Sequence, residues 1–444
     1  MNTRCSHMNR RSFLGHAAGA GVGAALAPMI VPSRVLGRDG WLAPSERICM
    51  GFIGLGGQGS GHLFGGGWTY VDGGYLGRTS VQVLGVCDVW RDKREGAKQR
   101  VNEHYARQAG QATHRSCEAY ADYRELLQRP DIDAVLIATP IWQHGVQTTL
   151  AAKCGKDVYC EKPTGGSIAE AKAIRDAMRR YGRVFQAGTQ QRSEYGGKFR
   201  RAVQLVRGGR IGKLQQVYAC CDGGMVLMGQ RQTDGKENPD LFWDPMLGPC
   251  PWAPPHSSGW AAHDFSAGGI NWGQHHYDIV QWGLDGDLTG PTEIKGKRLT
   301  YANGVEVIAG APPDPTLGIP GQQSNLSQGG VVFVGSDGQI AVDRDFIISN
   351  PPQLVREPVR PDDAQVLTSL SHSGNFLDCV RTRQHPICHE ETACRAATLT
   401  MLAYIGAQFP DRSLHWDPVA EHFTHDDDAK RMLTQAYRAP YILV

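Results

Sequence analysis

Apolar positions change their period several times along the chain, and each change predicts an element. From Arg47 the apolar run "RICMGFIG" meets a glycine-rich turn and gives way to "GQGSGHLF", the start of a helix. A second apolar run, "VQVLGVCDV", ends on Asp88 and its neighbour. "DAVLIATP" (133–140) and "DVYCEKP" (157–163) are two further strands, and "WQHGVQTTLAAKCGK" between them reads as a helix. "VFQAGTQQR" (184–192) reads as the last strand of this series. Alternating strands and helices of this kind predict a parallel sheet whose carboxyl ends line a ligand crevice.

Beyond Arg210 the rhythm differs. Strand-like runs recur as "KLQQVYACC", "TEIKGKRLTY", "GVEVIAG" and "GGVVFVGSDGQIAVD", punctuated by Gly and Pro. The Trp- and Pro-rich "LFWDPMLGPCPWAPPHSSGW" (241–260) is irregular and long for a loop, as functional lids and walls are. Its aromatic rings suit the C–H faces of a pyranose, although such clusters also build ordinary core. "GNFLDCVRTRQHP" and "ETACRAATLTMLAYIGAQ" read as C-terminal helices. A chain of 444 residues predicts two domains, at 46–190 and 191–444, after a leader at 1–45.

That leader pairs Arg10 and Arg11 with Phe13 and Leu14, then runs apolar and Gly/Ala-rich to about Ile30. It resembles a twin-arginine export signal and predicts a periplasmic or cell-envelope location, without stable membrane insertion after export. A short membrane anchor is the alternative, weakened by the low hydrophobicity of Gly and Ala. Ala25 and Ala27 offer a cleavage site. Twelve cysteines would suit a disulfide framework in an exported protein. Their placement in apolar runs and the lack of any CxxC pair predict buried thiols instead. A net charge of +2 argues against a nucleic-acid surface and fits a small neutral ligand.

The candidate chemistry begins at Gly54, Gly56 and Gly59, a GxGxxG turn opening onto a helix. Glycine lets the backbone approach a pyrophosphate, which the helix N-terminus receives. Asp88 is placed to grip ribose hydroxyls, and the Gly-rich stretch 65–80 accounts for its long distance from the turn. A carboxylate there favours NAD over NADP, an effect that Arg91 partly offsets. Gln58, Thr139, Pro140, His144, Glu161, Lys162 and Pro163 should converge on the same crevice.

In "GGINWGQHHYDIVQW" (268–282), helical geometry puts Asn271, His275, Asp278 and Trp282 on one stripe. Trp272 and His276 fall on a neighbouring stripe. The tandem histidines then point about 100° apart, which argues against a shared metal.

With "GLGGQG", "LIATPIWQH", "CEKP" and this helix in sequence, the chain resembles the glucose–fructose oxidoreductase/inositol dehydrogenase/MocA family over roughly residues 46–415. The resemblance implies a Rossmann domain followed by an α/β domain with a large open, mainly antiparallel sheet. It also implies a dimer or tetramer formed through that sheet. It assigns Lys162 to the substrate hydroxyl and nicotinamide, and His275 to acid/base work near pH 6.5 with Asp278 nearby. Gln190, Arg192, Trp272 and His276 are carried with the substrate site, His276 also reading as a packed imidazole. Asn271 stands where the family has aspartate, which removes a charge from beside the base. Three functions follow: an oxidoreductase acting on a sugar, glycoside or polyol with tightly held NAD, a lyase or hydrolase using transient oxidation, or a non-catalytic binder.

Overall fold

The computed structural model describes residues 42–66, 69–221, 235–255, 270–314, 326, 329–358, 360 and 363–444, excluding the side chains of Pro44, Ile270 and Asn271. The twin-arginine pattern and its apolar run lie outside these residues. Residues Ile48–Val444 form one compact unit. Of the separate unit Met1–Arg47, only 42–47 are described, including a bond from Arg47 Nε to the Leu42 carbonyl at 3.3 Å.

The first sheet has six strands: β1 (Ile48–Ile53), β2 (Val81–Cys87), β3 (Glu118–Tyr120), β4 (Ala134–Ile137), β5 (Asp157–Cys160) and β6 (Phe185–Ala187). Their order is β3-β2-β1-β4-β5-β6, and every pair is parallel. Chain direction across the sheet reverses between β1 and β4, and a crevice opens beyond the carboxyl ends there. Helices cover both faces, so β4 and β5 are buried at every position and read as unbroken apolar runs. The expected strand over 184–192 is shorter than its apolar pattern. It stops at Ala187, and Gln190–Arg192 form a 3-10 turn.

The second sheet has nine strands in the order β13-β12-β11-β7-β10-β9-β8-β14-β15. Near its centre β7 (Leu214–Ala219) runs parallel to β10 (Glu306–Ala309) and antiparallel to β11 (Val331–Gly335). The other strands are β8 (Glu293–Lys295), β9 (Arg298–Thr300), β12 (Gln339–Val342), β13 (Ile347–Asn350), β14 (Ser413–Asp417) and β15 (His422–Phe423). All their remaining pairings are antiparallel. "TEIKGKRLTY", a single apolar run in sequence, is therefore the hairpin β8–β9, with Ile294 opposite Leu299 and both buried.

The helix Ile270–Gly283 packs between this sheet and the helix Glu390–Gln408. Tyr277, Ile279, Val280 and Trp282 bury into the shared core. At Gly283 a Cβ would stand 2.3 Å from Phe333 of β11, so only glycine permits this approach. All eleven cysteines among the described residues are free thiols, nine of them buried. Among those residues no helix is long and apolar enough to cross a membrane.

Candidate active site

Gly54 has φ +89°, and a Cβ at Gly59 would lie 1.8 Å from the Gly54 carbonyl oxygen. The helix Gly57–Phe64 therefore seats directly on the turn, while a Cβ at Gly56 would meet nothing within 4 Å. Open space above free helix N–H groups is the cradle a pyrophosphate requires. Asp88 is anchored to the same turn: Oδ2 accepts the Leu55 amide at 2.6 Å and Oδ1 the Trp90 amide at 2.9 Å. Burial pushes its carboxyl above the ordinary value, against the pull of those amides and of Lys93.

A cavity of about 390 Å³ runs along these strand ends. Gly54, Gly56, Gln58, Asp88, Thr139, Pro140, His144, Glu161 and Lys162 all line it. Gly59 does not, because it serves the turn from beneath by packing. Arg91 is also absent from the lining and faces Asp240 at 3.9 Å; the basic residue near Asp88 that does line the cavity is Lys93, 5.2 Å from the Trp90 ring. The cradle, the anchored carboxylate and the cavity's position at the switch point fit an adenine dinucleotide.

The Glu161–Lys162–Pro163 turn is held from three sides. His144 places Nδ1 2.7 Å from the Pro163 carbonyl and Nε2 2.8 Å from that of Thr139. A neutral ring donates to only one of them at a time. Burial lowers the His144 pKa, although both carbonyls oppose the shift. Gln274, from the helix Ile270–Gly283, accepts the Thr164 amide at 2.6 Å and donates to the Thr164 hydroxyl at 2.9 Å. Glu161 itself accepts the Lys162 amide at 3.2 Å.

Glu161 is also a hub. Its Oε1 meets His62 Nε2 at 2.7 Å, Gln58 at 3.1 Å and Gln190 at 3.2 Å. Burial raises its carboxyl, but His62, Lys162 and Gln58 together outweigh that and hold it at about 2. Sequence reasoning missed His62 and Gln274, whose partners lie 99 and 110 residues away.

A second, more polar cavity of about 240 Å³ lies on the other side of Gln58, Glu161 and Lys162. Gln190, Tyr195, Trp272, His275 and Arg344 complete it. Burial lowers the Lys162 ammonium against the pull of Glu161. Burial, together with the charges of Lys162 and Arg344, drives His275 well below 6.5, so the ring is neutral and accepts rather than donates charge. His275 Nδ1 makes no hydrogen bond among the described residues.

Three expected site residues lie elsewhere. Arg192 is a structural cation: Nε and Nη2 grip Asp278 at 2.9 and 2.8 Å, and Nη1 and Nη2 grip Asp287 at 2.8 and 2.7 Å. This buried triad joins the Gln190–Arg192 turn to the helix, so neither Arg192 nor Asp278 reaches the cavity. His276 turns the other way, accepts the Gly330 amide at 3.1 Å and is pushed by burial to about 3. The side chain of Asn271 lies outside the described residues. The group with metal-ligand spacing among the described residues is His385, His389 and Glu390, which lines neither cavity.

Among its described residues, the Trp/Pro segment lines the larger cavity and not the polar one. Leu241 bridges to Trp90, and Phe242 donates to the Val89 carbonyl at 3.1 Å. Pro245 and Met246 line the larger cavity, where their carbonyls accept from Gln143 at 2.8 Å and Trp142 at 3.1 Å. Arg438 straps the segment from outside, bonding Asp244 at 2.7 Å and the Gly248 carbonyl at 2.8 Å. Trp243 donates within the segment, to the Ala253 carbonyl at 2.8 Å, and lines neither cavity. Residues 256–260 lie outside the described residues.

Solved structures share this fold. An aldose-aldose oxidoreductase from Caulobacter crescentus complexed with glycerol superposes with a TM-score of 0.53 at 16% identity, over 83% of this chain and 99% of that one. A myo-inositol dehydrogenase from Lactobacillus casei, in complex with NAD(H) and myo-inositol, gives 0.51 at 17%, over 84% and 97%. In sequence, 36% identity over 92 residues relates the chain to the NAD(+) scyllo-inositol 2-dehydrogenase of Bacillus subtilis (strain 168), covering 21% of this chain and 26% of that protein. A glycosyl hydrolase family 109 protein of Streptomyces filamentosus is 32% identical over 207 residues, 46% of this chain and 39% of that protein. These curated relatives are matched over less than half of their length. Residues 50–189 match the family model described as "Oxidoreductase family, NAD-binding Rossmann fold", and residues 333–443 match "Oxidoreductase family, C-terminal alpha/beta domain". With both halves matched across more than half of its length, the chain belongs to the glucose–fructose oxidoreductase/inositol dehydrogenase/MocA family of oxidoreductases.

Proposed function

We propose that the protein is an NAD-dependent oxidoreductase acting on a secondary hydroxyl or keto group of a sugar or polyol. The observation that carries this reading is the shared wall: Gln58, Glu161 and Lys162 line both cavities. A ligand in the polar cavity would then meet the end of a dinucleotide across these three residues. Bound NAD supplies the hydride acceptor. Lys162 sets a positive charge where an alkoxide develops, and neutral His275 offers a lone pair to the hydroxyl proton. Ionised Glu161, fixed by His62 and Gln190, keeps the ammonium aimed. The twin-arginine pattern supports export, a setting in which a retained nucleotide is recycled rather than exchanged.

Purified protein, screened with sugars after its bound nucleotide is identified, should show absorbance of reduced nicotinamide. Lys162→Ala should lower turnover about 100- to 10,000-fold while nucleotide stays bound. Near-normal rates in that variant would remove Lys162 from the chemistry.

Relatives named glycosyl hydrolase family 109 proteins favour a second reading, in which oxidation is transient and a glycosidic bond is cleaved by elimination. Product release from a glycoside without accumulation of reduced nucleotide would select it.

A further inference from the structure

Arg344 stands at the tip of the β12–β13 hairpin, and nothing above gives it a role. Its guanidinium carbon lies 4.4 Å from the centroid of the Trp272 ring and 5.0 Å from that of Tyr195. Stacking of this kind stabilises the cation by about 0.5–2 kcal/mol but satisfies none of its N–H donors. Buried Nε has no hydrogen-bond partner, and no carboxylate among the described residues pairs with the group. An arginine N–H buried without an acceptor is unusual, because buried donors are nearly always matched.

Its surroundings are built to keep it there. Asp343 folds back to accept the Asp345 and Phe346 amides, each at 2.7 Å, which fixes the hairpin tip. Lys198 Nζ donates to the carbonyls of both Tyr195 and Arg344, at 3.2 and 3.3 Å, tying the aromatic wall to the arginine. Tyr195 itself has φ +60°, a conformation costing a non-glycine residue about 1 kcal/mol or more. Strain held beside an unmatched cation marks a prepared site rather than an incidental contact.

The charge balance of the cavity points the same way. Lys162 and Arg344 line it as cations, and Glu161, its one lining carboxylate among the described residues, bonds His62 and acts on Lys162 rather than on Arg344. A neutral polyol would leave that excess unanswered. We infer that the substrate is a sugar acid whose carboxylate docks on Arg344 while a secondary hydroxyl is presented to Lys162. Ring contacts with Trp272 and Tyr195 use no N–H donor of the guanidinium, and a carboxylate matches its fork with two parallel bonds.

This inference rests on the oxidoreductase reading for its assay but not for its binding. Nucleotide-loaded protein is offered matched pairs, glucose with glucuronate and galactose with galacturonate. Cofactor reduction gives kcat and KM, and titration calorimetry gives Kd. At least one uronate should exceed its neutral partner more than tenfold in kcat/KM. Arg344→Gln should weaken that uronate about 10- to 100-fold, mainly in KM, a larger loss than for the neutral sugar, so that the preference between them collapses. Arg344→Lys should recover part of the loss, since it restores charge without the fork. Thermal melting and retained nucleotide show whether each variant is folded. Equal kcat/KM within both pairs, or an unchanged preference in folded Arg344→Gln, overturns the inference. Stronger Arg344-dependent binding of glucose 6-phosphate than of either uronate also overturns it. Uronate binding that depends on Arg344 without hydride transfer to any sugar would uphold the anion site and defeat the oxidoreductase reading.

Discussion

The two cavities that meet at Lys162 are built by opposite means. The larger one is organised by backbone, with a glycine turn, a helix N-terminus and strand ends, and is completed by side chains such as Asp88, Trp142 and Gln143. The smaller one is walled by side chains, delivered from Gln58, Gln190, Tyr195, the helix bearing Trp272 and His275, and the hairpin bearing Arg344. Backbone walls suit a ligand whose shape never changes. Side-chain walls can be exchanged one at a time, so under the proposed function the second cavity would carry whatever distinguishes the substrate.

Substitutions should therefore fail differently on the two sides. Gly59→Val drives a side chain into the Gly54 carbonyl, so nucleotide should be lost with more than about 4 kcal/mol of stability. A variant that still purifies with nucleotide would show that the turn can yield. On the other side, Asp278→Asn leaves Arg192 facing Asp287 alone and should lower stability by about 3–4 kcal/mol, read by denaturant unfolding. Wild-type stability with abolished turnover would return Asp278 to the chemistry.

His276 gives a subtler contrast. Burial holds the folded ring near 3, whereas the unfolded one titrates near 6.5. The unfolded chain therefore binds the proton first. Stability present above pH 6.5 is lost as pH falls toward 3, by roughly 1.4 kcal/mol per pH unit. His276→Gln should flatten the pH dependence of stability by about that slope between pH 6 and 4.5, and leave sugar preference unchanged. An unaltered slope would mean that the ring is not buried neutral. Smallest is Arg438→Ala, which frees the segment over the nucleotide and should speed nucleotide release about three- to tenfold. Unchanged release would make the strap ornamental.

The same contrast explains what could be read from sequence. Gly54, Asp88, Thr139 and Lys162 sit at the ends of apolar runs, where local pattern alone fixes both strand and crevice. His275 was legible from helical stripes, but its depressed pKa was not, because that depends on Lys162 and Arg344 from other segments. The stripe rule also put Asp278 beside His275 without revealing Arg192, which claims it. Helical spacing says which residues share a face but not what the face meets. Nothing in the chain near Arg344 signals a site, and Tyr195 and Gln274 do not stand out beside the candidates Arg192 and His275. Their roles arise only when the hairpin, the 3-10 turn and the helix converge.

The wall of Gln58, Glu161 and Lys162 has one more consequence. A three-residue window between two ligands works as a sighting aperture. Of the several chemically similar carbinol carbons on a ring, only the one brought to the aperture can react. Regioselectivity would then be set by how the far end of the substrate is tethered, and moving that tether by one ring position would change the product without altering any residue at the window.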